Sequence, residues 1–71
     1  MANVKNGDKV SWQNAGNKAH GTVQAVSPKK TTKTIKGKEI VRNGSKDDPA
    51  VTVKSDKGGV ALHLQHELRK G

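Results

Sequence analysis

The chain has 71 residues, with 14 Lys and Arg against 6 Asp and Glu, a net charge of +8 and a pI near 10.1, a balance that draws polyanions: nucleic acid, an anionic membrane surface or an acidic protein face. That length allows one domain at most, and eight Val, three Leu, two Ile, one Trp and no Phe or Tyr make a thin core, so marginal stability or help from self-association is expected. Without cysteine there is no disulfide framework and no Cys-based zinc site, and no run approaches the roughly 18 apolar residues of a membrane span.

The first five residues, Met1-Ala2-Asn3-Val4-Lys5, lack the apolar run of a signal peptide, and the expected location is cytoplasmic. Asn6-Gly7-Asp8 is a turn signal. After it, Val10 and Trp12 alternate with Lys9 and Ser11, the period-two pattern of a half-buried strand. Gln13 to Lys18, rich in Asn and Gly, reads as a polar loop. A second strand runs from His20 to Val26, with Gly21 marking a bulge or bend inside it, and Ser27-Pro28 ends it.

Residues 28–49 form a long insert. Thr31, Thr32, Thr34 and Ile35 stand on one side of Lys36-Gly37 and Glu39-Ile40-Val41 on the other. Two β-prone arms about a Lys-Gly turn make either a protruding hairpin or a mobile loop. Beyond Asp47-Asp48-Pro49, a third strand covers Ala50 to Ser55 with Val51 and Val53 inward, and Asp56-Lys57-Gly58-Gly59 is a tight turn. Val60 to Leu64 is the fourth strand, Gln65-His66-Glu67 has the length of one 3₁₀ turn, and Leu68-Arg69-Lys70 is a last short strand. The expectation is one all-β domain over residues 1–71: a small five-stranded SH3-like barrel whose closure hides its sheet edges, with the basic insert between strands 2 and 3.

In order along the chain stand Gly7-Asp8-Lys9-Val10-Ser11-Trp12, Gly21-Thr22-Val23, Ile35-Lys36-Gly37, Asp47-Asp48-Pro49, Ser55-Asp56-Lys57-Gly58 and Leu68. This ordered set resembles the hypervirulence-associated Tudor-like domain family, small proteins of bacteria and some fungi. The resemblance implies a Tudor-like barrel and no defined biochemical activity. From Val53 onward the chain is also similar to the type II dihydrofolate reductases, tetrameric SH3-like barrels with a Val-Gln-Ile-Tyr run. Here that run reads Val60-Ala61-Leu62-His63. The glutamine and tyrosine are missing, so this second resemblance implies shared architecture without reductase activity.

Charge is concentrated in the insert. Residues 28–46 carry seven basic side chains and one acidic, +6 of the +8. Twelve lysines against two arginines suit contact with phosphates more than bidentate reading of base edges. Lys29, Lys30, Lys33, Lys36, Lys38 and Arg42 are therefore the candidate contacts to a DNA or RNA backbone, against the alternative of a merely solvated, self-repelling segment. Trp12, the only aromatic, is in phase with Val10 and is expected to pack; alone it makes neither a base-stacking platform nor an aromatic cage. A rival reading is a protein-interaction domain, with an acidic protein or another partner meeting Trp12 and Leu64. His20, His63 and His66 are expected at the surface rather than on a metal. Asp8, Asp47 and Asp56 are expected to bond nearby backbone in turns. No nucleophile elbow or phosphate loop is present, so neither an enzyme nor a cofactor is expected.

Overall fold

The computed structural model describes residues 4–70. Its strands run in chain order as β1 (Lys9–Asn14), β2 (Asn17–Ser27), β3 (Lys30–Ile35), β4 (Lys38–Asn43), β5 (Ala50–Ser55), β6 (Val60–Leu64) and β7 (Arg69–Lys70), with a 3₁₀ turn at Gln65–Glu67 before the last. Five of them form one sheet in the order β6-β5-β2-β1-β7, and β3 and β4 form a separate two-stranded ribbon.

The expected polar loop from Gln13 to Lys18 is replaced by a hairpin. β1 and β2 stay in register to the pair Asn14↔Asn17, leaving only Ala15 and Gly16 at the tip with φ of 51° and 82°. Two successive left-handed residues match the twist of the flanking strands. Alanine carries the first of them, which is why no Asn-Gly signal marks the turn. The insert takes the hairpin form in the same way, with Lys36 and Gly37 at φ of 52° and 79° between Ile35 and Lys38.

At eleven residues, β2 is long enough to serve two neighbours, β1 along its first part and β5 along its second. The register shifts between Val23 and Ala25, so the bulge sits at Gln24 and not at Gly21. Gly21 answers a different demand. A Cβ there would meet the Lys54 carbonyl oxygen and lie 2.9 Å from Trp12 Cη2. The strand can cross β5 and the tryptophan at this distance only without a side chain.

The five-stranded closed barrel is corrected in two respects. There are seven strands, because the insert adds two, and the ladder does not close on itself: β6 and β7 are both sheet edges among the described residues. β7 has only two residues and pairs with Val10 and Ser11. The chain reaches it from β6 through the 3₁₀ turn.

Val10, Trp12, Val23, Val51 and Val53 form the core with Val4 and Leu68, and Val51 and Val53 are wholly buried. Their neighbours on the opposite face of the β5–β6 pair, Thr52, Leu62 and Ala50, are buried too. The ribbon packs against β6, so this part of the sheet is covered on both sides. Gln65 fastens the end of the fold: its buried Oε1 accepts a hydrogen bond from the Val4 amide at 3.1 Å, and its own amide donates to the Pro49 carbonyl at 2.9 Å.

Candidate functional site

Cross-strand partners share a face of a ribbon. Thr31↔Arg42, Lys33↔Ile40 and Ile35↔Lys38 therefore occupy one side of β3–β4, and Lys30↔Asn43, Thr32↔Val41 and Thr34↔Glu39 the other. Thr31, Ile35, Ile40 and Arg42 are half-buried, so the first side turns to the body of the protein. The candidate lysines are consequently divided. Lys33 and Lys38 project from the inner side, Lys30 from the outer, Lys36 stands at the tip and Lys29 at the base, all of them exposed. Lys30, Lys33 and Lys36 follow each other at steps of about 10 Å along the strand.

Arg42 behaves differently from the other five. Its guanidinium Nη1 donates to the Val41 carbonyl at 2.9 Å, and its charge helps to hold the Glu67 carboxyl in its ionised form. It is directed toward the protein's own body.

Glu67 is bonded to the end of β6. Its Oε2 accepts from the Leu64 amide at 2.9 Å and its Oε1 lies 3.3 Å from His63 Nδ1. Burial works against the charge, but these bonds and the nearby His63 and Arg42 outweigh it, and the carboxyl sits below its usual value. An ionised carboxylate only accepts, so Nδ1 carries the proton in the bond to Glu67, whatever the state of the ring's Nε2. That Nε2 is buried and has no partner among the described residues. The imidazole lies against Trp12, with ring centroids 5.1 Å apart and planes tilted by 46°. Trp12 itself is 7% exposed.

An open groove of about 350 Å³ runs past these two rings, and Lys36 from the ribbon tip and Lys57 from the β5–β6 turn also line it. No carboxylate of the described residues lines it. His63 was read from the sequence only as a surface histidine; its place beside Trp12 depends on the pairing Val51↔His63, which sets it on the core side of β6.

Asp48 and His66 make a second pair that the sequence reading missed. The two Asp48 oxygens accept from the His66 amide at 2.9 Å and approach His66 Nδ1 at 2.6 Å. Desolvation opposes the charge, yet these bonds to His66 leave the carboxyl below its ordinary value. Asp8 bonds the Lys5 amide at 3.0 Å, as a turn aspartate does. No group of three His, Asp or Glu side chains able to hold a metal occurs among the described residues, and none of their helices is long and apolar enough to cross a membrane.

Both Asp48 and Glu67 titrate lower in the folded chain than in the unfolded one. Their stabilisation is thus fully present above the ordinary values of 3.8 and 4.5 and is lost as pH falls through the lower folded values. Acid unfolding followed by circular dichroism should steepen below about pH 4.5, and the double variant Asp48→Asn, Glu67→Gln should flatten that limb. An identical acid limb in the variant would remove these pairs as its cause.

The sequence matches the family model described as hypervirulence associated proteins TUDOR domain over residues 7–68. Comparisons with curated proteins and with solved structures returned no match.

Proposed function

Because the chain belongs to the hypervirulence-associated Tudor domain family, whose fold is that of a small binding module, we propose that it is a single non-enzymatic domain that grips nucleic-acid backbone through the β3–β4 ribbon. The observation that carries this reading is the ribbon itself: five exposed lysines on a two-stranded arm set outside the main sheet, in a segment holding +6 of the +8 net charge. Lysine is a flexible point charge that attracts phosphates without matching base edges. The one arginine on the arm, whose planar fork could read a base, is half-buried and bonds the Val41 carbonyl. Contact without sequence preference follows from that chemistry.

Fluorescence anisotropy with labelled mixed-sequence DNA and RNA, at several salt concentrations, tests it. Each phosphate neutralised on a duplex contributes about −0.9 to the slope of log affinity against log salt, so four or five contacts give about −4. The variant Lys33→Ala, Lys36→Ala, Lys38→Ala should weaken binding equally for all sequences and bring the slope about 2 to 3 units closer to zero. A triple variant with unchanged affinity and slope would remove the ribbon as the contact surface. No binding even at low salt would remove nucleic acid as the partner and direct the search to an acidic protein.

A further inference from the structure

The groove beside Trp12 has the makings of a site for one unstacked base. Its apolar lining includes the edge of Trp12, the half-buried Ala61 and Val60, which is 39% exposed, with the polar Asn14 and Ser55 beside them. Its rim is cationic, since Lys36 and Lys57 approach from two different elements. A ligand that satisfies both has a flat, weakly polar body attached to an anionic group. The lack of a lining carboxylate among the described residues argues against a cationic ligand, and two lysines that make no ion pair with those residues argue for a phosphate.

One further feature favours a nucleobase over a plain anion. The Trp12 and His63 rings lie against each other, with centroids 5.1 Å apart, so they present a shared edge on which a base can rest. Lys36 belongs both to this groove and to the ribbon tip, so a strand whose phosphates follow the ribbon is led to the groove mouth.

We infer that the domain prefers single-stranded to duplex nucleic acid, and that one base of the strand enters the groove beside Trp12 and His63 while its phosphate lies between Lys36 and Lys57. This rests on the ribbon reading above and adds to it. A base held in a duplex cannot reach the groove without leaving its stack. One docked base is worth about a tenfold preference for the single strand, at the lower end of stacking energies.

Trp12, the sole tryptophan, reports on the groove directly. The probes are an unlabelled mixed-sequence DNA dodecamer, the same sequence as a duplex, and heparin as a polyanion without bases. The single strand is expected to bind about tenfold tighter than the duplex and to quench or shift Trp12 emission, while heparin and duplex leave the emission unmoved. Lys57→Glu, a change in an exposed turn outside the ribbon, should remove the single-strand preference and the emission change while duplex affinity falls far less. Equal binding of both DNA forms with an unmoved emission would overturn the groove site and leave the ribbon reading standing. Equal quenching by heparin would show a site for anions that takes no base. Failure of every probe to bind would overturn both readings.

Discussion

Gly21→Ala is expected to lower the thermal midpoint by about 15 °C or more, the consequence of losing about 3 kcal/mol in a domain of this size. The added methyl would run into the Lys54 carbonyl and stand 2.9 Å from Trp12 Cη2. Neither neighbour can give way cheaply. Lys54 lies in the β5 strand that pairs with both β2 and β6, and the Trp12 ring is 7% exposed and held in the core. A 71-residue chain has a total stability of roughly 4 to 10 kcal/mol, so the loss consumes a large share of it. Gly59→Ala is the matched control, because a Cβ at that position meets nothing within 4 Å. Thermal melts by circular dichroism read both variants. If Gly21→Ala melted within about 5 °C of the parent, the close approach of β2 to Lys54 of β5 and to Trp12 would not be a constraint.

Trp12→Ala should be comparably severe, costing about 3 to 5 kcal/mol, the usual range for removing a large buried aromatic. The ring packs with Val10, Val23, Val51, Val53 and Leu68, and it covers the inner side of His63. Truncation therefore opens a cavity in a core with little else to fill it. Urea denaturation followed by circular dichroism should show a much lower midpoint with a similar slope, and Trp12→Phe should recover most of the loss. A Trp12→Ala variant close to the parent in stability would mean that the ring contributes little to the core. The expected cost also bears on functional tests. Lost binding in Trp12→Ala is uninterpretable without proof of folding, whereas Lys57→Glu changes the groove rim and leaves the core intact.

The charge of the ribbon needs no structure to be seen: seven basic residues in residues 28–46 are visible in the chain. What that charge decorates is less visible. Threonines and isoleucine around Lys36-Gly37 suit a hairpin and an extended loop equally, because β-propensity reflects packing against neighbours more than a backbone preference. The pairing settled it, with six cross-strand pairs from Lys30↔Asn43 to Ile35↔Lys38. The same pairing separates Lys33 and Lys38 from Lys30 and sets Arg42 on the inner side of the ribbon.

Much of the all-β character was determined locally. Val10 with Trp12, and Val51 with Val53, alternate at the period of a strand, and the turns at Gly7 and Gly58 punctuate them, so these segments were legible from a few consecutive residues. The tertiary structure decided everything that depends on register between distant segments. The bulge fell at Gln24 and not at Gly21 because β2 must serve both β1 and β5. The sheet stays open because β7 pairs with β1, through Val10 and Ser11, and not with β6. Trp12, His63, Lys36 and Lys57 come from four separate places in the chain and meet at one groove. Side-chain alternation reports which way a residue faces within its own strand; which strand it then faces is set by long-range pairing and burial, and no local pattern records it.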